Sequence, residues 1–212
     1  MPSSPSLARA EREALAGLAL ELGPGAPTLC GDWTVKDLVV HLLVRERNPL
    51  AAAGVMLPPL APVTRRVTRR WARADLPLLV DQLRRPRLTW AAVGPLDRLG
   101  NTVELLVHHE DVRRAQHDWE PRPLDDATQD AVWRLVRPFG KVAARKVGAP
   151  LVAVDARTGA RATIRGGVGP AVVTAAPLEI LLFLLGREQV RDLEVTGPDL
   201  AVRRLQNATR GY

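Results

Sequence analysis

Cysteine is almost absent from this 212-residue chain: Cys30 is the only one. An internal disulfide and any multi-cysteine zinc site are thereby excluded, and a reducing compartment is the natural setting. Aromatic residues make up only 4% of the chain, so a core must be assembled mainly from Leu, Val and Ala. Lysine is confined to Lys36, Lys141 and Lys146, and the net charge of +7 is therefore carried by arginine. These arginines are scattered among acids rather than gathered in one tract, and nucleic-acid binding is not expected. No long apolar run exists. The greasiest stretch, Ile180 to Leu185, falls far short of the roughly 20 residues that span a bilayer. The N-terminus, Met1-Pro2-Ser3-Ser4-Pro5, leads into a charged amphipathic segment without the apolar centre of a signal peptide. Together these features predict a soluble cytoplasmic protein with no membrane partner. Glycine-rich phosphate loops and a Gly-x-Ser-x-Gly elbow are also missing.

What is present is helical periodicity followed by alternation. Leu7 to Leu22 reads as a helix stopped by Gly23-Pro24-Gly25. Thr34, with Asp37 three residues on, opens a second helix that runs to about Asn48-Pro49. A proline-rich connector at 57–62 precedes a helical segment from Val63 to Arg85, interrupted near Leu76-Pro77. Its Thr64-to-Trp71 stretch mixes arginines with an aromatic and reads as a solvated helix face. Asn101 can cap a helix from Thr102 to about Gln116, and Asp125 or Asp126 opens another that continues to Gly148, with Pro138 a kink. Beyond Pro150 the period becomes two. Leu151 to Asp155 and Arg161 to Ile164 form a predicted hairpin turning at Arg157-Thr158-Gly159. Val172 to Thr174 and Leu193 to Thr196 supply further strands, and Pro177 to Val190 and Asp199 to Ala208 supply helices. The expected fold class is α+β: a helical domain at 1–148 and a small α/β domain at 149–212, with three to four strands and two helices.

Three ionisable residues interrupt the apolar helical runs. His41 lies within Leu38 to Val44, and Glu104 and His108 lie within Val103 to His108. Residues four apart stack on one helix face, so Glu104 and His108 can address one object. Two imidazoles and a carboxylate match a three-ligand zinc site with an open fourth position, built between facing helices. Each residue also has an ordinary reading. Glu104 stands three after Asn101 and can complete a capping box. His41 can be a buried histidine bonded to a backbone carbonyl or Asp37, and His108 can pair with Asp111 or Glu104. His109 is the rival ligand, but a step of about 100° per residue rotates it off the Glu104 face. Asp111 is a candidate acceptor orienting His108. Cys30 can be a thiol nucleophile or a fourth ligand, but it has no His or base beside it in sequence and reads as a buried packing residue.

Leu29-Cys30-Gly31-Asp32-Trp33-Thr34-Val35-Lys36-Asp37 leading to His41, the later Glu104-Leu105-Leu106-Val107-His108-His109-Glu110-Asp111, and Leu184-Leu185-Gly186-Arg187 together resemble the mycothiol-dependent maleylpyruvate isomerase family. More narrowly, they resemble its actinobacterial metal-binding branch. The resemblance implies a DinB-like four-helix bundle holding a divalent metal, usually zinc, followed by a sterol-carrier-like α/β domain. By motif, the family's ligands fall on His41, Glu104 and His108. It also implies mycothiol as co-substrate and a substrate-binding arginine in the C-terminal domain, for which Arg187 is the nearest candidate.

The expected function is therefore a metal- and thiol-dependent isomerase or transferase acting on a small electrophile, as a monomer or homodimer. The ion would activate a thiol or water at its open position. Arg45, one turn beyond His41, can receive a carboxylate or form an ordinary surface ion pair. The alternative is a metal- or thiol-binding sensor or interaction protein without turnover.

Overall fold

The computed structural model describes residues 6–54, 57–85 and 95–208. The chain divides into two compact units, Met1–Glu120 and Pro121–Tyr212.

The first unit is helical. Helix α1 covers Leu7–Leu22 and α2 covers Val35–Arg47. The start of α2 is a complete capping box: the Thr34 hydroxyl accepts from the Asp37 amide, and the Asp37 carboxylate accepts from the Thr34 amide. Two otherwise orphaned amides are thereby satisfied. A short helix α3, Pro49–Ala53, and a single 3₁₀ turn at Pro58–Leu60 lead into α4, Ala61–Trp71, and α5, Leu76–Arg84. As expected, the break before Pro77 separates the last two. Helix α4 has no fully buried residue: its arginines are exposed, as their pattern suggests, while Val67 and Trp71 pack against the core.

Helix α6 runs over Pro95–Arg113, starting about two turns earlier than Asn101 and Thr102 predict. Pro95 suits a first helical position, and Gly100, which reads as a loop signal, is tolerated inside the helix. Helix α1 packs on α6, α5 and α2, and α2 packs on α5 as well. Their core holds Leu15, Leu38, Leu42, Leu43, Leu79, Leu83 and Leu105, all fully buried, each worth about 1.5–3 kcal/mol of burial.

The second unit begins with α7, Asp126–Ala143, capped by Asp125 on the Thr128 amide and carrying Pro138 in its interior. Strands β1 (Leu151–Asp155), β2 (Arg161–Arg165), β3 (Ala171–Ala175) and β4 (Glu194–Thr196) form one sheet in the order β2-β1-β3-β4. β1 is antiparallel to β2 and parallel to β3, and β4 runs antiparallel to β3. The crossover between β3 and β4 holds α8, Pro177–Leu184, buried on every side, and α9, Asp199–Asn207, closes the chain. Helix α8 stops six residues short of Val190, just before Gly186.

The change of periodicity places a domain boundary at 148, whereas the compact units divide at Glu120/Pro121. The difference is α7, which packs against α8 and β2. Gly140 makes that contact close: a Cβ there would stand 2.9 Å from Leu184 Cδ1 and 3.1 Å from Ile164 Cδ1. At the other end of α7, Arg157 from the β1–β2 turn binds Asp126, Asp130 and Asp155 at 2.7–2.9 Å, and this shared partnership raises its already high pKa further.

Candidate metal centre

Helix α2 presents six of its apolar residues between Leu38 and Val44 to the core and leaves His41 half-buried among them. Helix α6 does the same with Glu104, while His108, one turn on, is 8% exposed. The three side chains meet. His108 Nε2 lies 3.3 Å and His41 Nε2 3.9 Å from Glu104 Oε2. The two imidazoles stand edge to face with centroids 5.3 Å apart, and one donor atom from each of the three residues lies within 4.8 Å of the others. Donors about 2.0–2.2 Å from a tetrahedral ion are separated from one another by roughly 3.3–3.6 Å, so small side-chain shifts would seat one. The donor set, two nitrogens and one oxygen, suits zinc. Because α6 starts at Pro95, Glu104 sits in mid-helix and is no capping-box residue; Asp37, the alternative partner for His41, is engaged by Thr34.

Burial by itself would raise the Glu104 pKa. The hydrogen bonds from His108 and His41 and the Arg45 guanidinium, whose Nε is 3.6 Å away, more than reverse that and hold it well below the usual carboxylate range. His108 is shifted the other way. Its burial favours the neutral ring, but Asp111, Cys30 and Glu104 together raise its pKa well above the ordinary value.

On the far side of His108 the expected acceptor, Asp111, is in place, and beside it stands Cys30, which sequence reasoning did not bring here. Asp111 Oδ2 is 2.9 Å from His108 Nδ1, and the Cys30 thiol donates to the same carboxylate oxygen at 3.3 Å while lying 3.7 Å from Nδ1. Cys30 is therefore not a mere packing residue. The loop that carries it is held in place: Leu29 N donates to Asp111 O, Gln116 Nε2 to Pro27 O, and the Thr28 hydroxyl bridges Cys30 N and Trp33 O. Gly31, at φ +63°, takes a left-handed conformation that a side chain would resist, and the chain turns there toward Trp33, whose ring lies 5.0 Å from that of His41. Cys30, His108 and Asp111 form a second set with donors within 4.8 Å. The two sets share one imidazole through its opposite nitrogens.

His109 points away, its Nδ1 2.7 Å from the buried Glu11 of α1, as its rotation around the helix requires. Arg187 lies in the second unit, where its guanidinium donates to Leu185 O. Among the described residues no helix is long and apolar enough to cross a membrane.

No family model matches the chain, and no curated protein matches it significantly. Solved structures do. A crystal structure of a mycothiol-dependent maleylpyruvate isomerase is similar over 90% of this chain and 90% of its own, with TM-score 0.59 and 15% identity. A histidine-to-alanine mutant of a mycothiol-dependent maleylpyruvate isomerase is similar over 91% and 90%, with TM-score 0.57 and 16% identity. At such identities the likeness is one of fold: this α+β chain, with a helical unit followed by a smaller unit that carries the sheet, shares the fold of those structures.

Proposed function

We propose that this protein binds one divalent ion, zinc by preference, through His41 Nε2, Glu104 and His108 Nε2. The ion would serve a mycothiol-dependent isomerisation or thiol transfer in the cytoplasm. The observation that carries the reading is the convergence of these three donor atoms, from two helices, on one small volume. His41 interrupts an otherwise apolar run, Glu104 and His108 flank the apolar Leu105-Leu106-Val107, and each side chain keeps some exposure, 23% for His41 and Glu104, through which a ligand can reach them.

The His41–Glu104–His108 set is preferred to the Cys30 set on proton grounds. An ionised carboxylate only accepts, so Asp111 places the proton of a neutral His108 on Nδ1 and leaves the Nε2 lone pair facing Glu104. This is the arrangement of a carboxylate that orients a metal-binding histidine. A bound ion supplies Lewis acidity, which lowers the pKa of a thiol or water at its open position. The chain's own residues do the rest. Glu104 and the imidazoles fix the position, Asp111 fixes the His108 tautomer, and Arg45 offers a guanidinium to a carboxylate of the thiol or electrophile. Arg187 is proposed as a further substrate contact, on the resemblance alone.

The test is elemental analysis of purified protein beside His41→Ala, followed by calorimetric titration with mycothiol. Near-stoichiometric metal lost in the variant, and thiol binding that requires the metal, are expected. Metal retained in His41→Ala would overturn the site. Thiol bound without consumption of any electrophile would instead mark a sensor or interaction protein.

A further inference from the structure

Within the second unit, a concavity of about 440 Å³ is lined by Trp133, Arg134 and Arg137 of α7 and by Arg161, Ala162 and Thr163 of β2. Its size falls within the range of small-molecule sites. Arg134 and Arg137 are three apart and share a helix face. Arg161 and Thr163 are two apart on the exposed face of β2, where side chains alternate. Among the described residues no side-chain hydrogen bond or ion pair engages the guanidinium of any of the three arginines, and no acid lines the concavity. The contrast with Arg157 on the same unit is sharp, since that side chain binds three carboxylates. Three exposed arginines thus line a common space with an indole at its wall, and no carboxylate lines it with them.

We infer that this concavity binds a small phosphorylated ligand bearing a planar ring, of mononucleotide size. Guanidinium groups take phosphate oxygens bidentately. The Thr163 hydroxyl adds a neutral donor. Trp133, half-buried and so held in place, offers a π-face on which a base can stack. A purely inorganic anion would leave the indole unused, and an uncharged aromatic would leave three positive charges unmet. The volume accommodates one ring with its phosphates, not an extended strand. The site lies apart in sequence from His41, Glu104 and His108, and the inference does not rest on the metal reading.

Titration of the full-length protein with ADP, followed by calorimetry and tryptophan fluorescence, tests it. Saturable one-to-one binding is expected, weakened roughly tenfold or more in Arg134→Ala and in Arg161→Ala, as loss of a charge-assisted hydrogen bond implies. Adenosine and pyrophosphate should each bind more weakly than ADP, and Trp133→Phe should keep binding that Trp133→Ala loses. The arginine substitutions lie on the surface, so they remain informative if Trp133→Ala fails to fold. The inference is overturned by absence of saturable ADP binding at low salt, by adenosine binding as well as ADP, by arginine variants that bind like the parent, or by an oligonucleotide that binds where ADP does not.

Discussion

Asp111 Oδ2 sits 2.9 Å from His108 Nδ1, and this contact decides which nitrogen of the most buried histidine of the cluster faces Glu104. The carboxylate is fully buried, so its grip on the ring is little weakened by water. Asp111→Asn keeps the size but loses the charge. Its metal affinity, measured by competition with a chelator, should fall about 10- to 100-fold, the usual cost of losing such a partner, whereas His41→Ala should lose metal outright. An unchanged affinity in Asp111→Asn would mean that the carboxylate does not orient the ring.

Cobalt substitution separates the two donor sets. With the ion on the Nε2 side, the cobalt protein should lack sulfur-to-metal charge transfer, and Cys30→Ser should leave its visible spectrum and metal content unchanged. A strong near-ultraviolet band abolished by Cys30→Ser would put the ion between Cys30, His108 and Asp111.

The opposed shifts of Glu104 and His108 predict the pH dependence of stability in chelator-treated protein. Glu104 is depressed below its reference value of 4.5, so its contribution is present above that pH and is lost as pH falls through the depressed folded value. His108 is raised above 6.5, so its contribution is complete below that pH and is lost as pH rises through the raised folded value. Stability in urea should therefore peak between about pH 4.5 and 6.5. His108→Ala should remove the decline on the alkaline side. Metal affinity should run the other way, rising with pH, because the ion must displace the His108 proton.

Glu110 and Arg114 form an ion pair with both side chains fully buried, and the Arg114 guanidinium also lies 4.7 Å from the centre of the Trp119 ring. Glu110→Ala should destabilise by about 3–5 kcal/mol, because it removes one partner of a buried ion pair. Thr34→Ala should cost only about 1 kcal/mol, the value of one cap. Urea midpoints of the two variants check the ranking, and a Glu110→Ala loss no larger than that of Thr34→Ala would contradict it.

Local signals carried the sequence reading as far as such signals reach. The Thr34–Asp37 box, the stop at Gly23, the break before Pro77 and the alternation after Pro150 each act over a few residues, and each appears in the structure. His41, Glu104 and His108 stood out because charge inside an apolar helical run needs a partner, and an i,i+4 pair faces one way. The start of α6 is not legible locally, because Gly100 and Asn101 look like a loop and cap while Pro95 supplies an equally good opening.

By itself, the amino-acid order determined the helices and strands, the change from a period of 3.6 to one of two, and three ionisable side chains on apolar faces. Only tertiary packing decided that Cys30, 78 and 81 positions from His108 and Asp111, would lie behind the imidazole. Packing also decided that Glu11 would meet His109 across 98 positions, and that α7 would join the sheet unit instead of the bundle. Periodicity and capping arise from hydrogen bonds and side-chain contacts within a turn or two; pairings across tens of residues exist only once the core has closed around them.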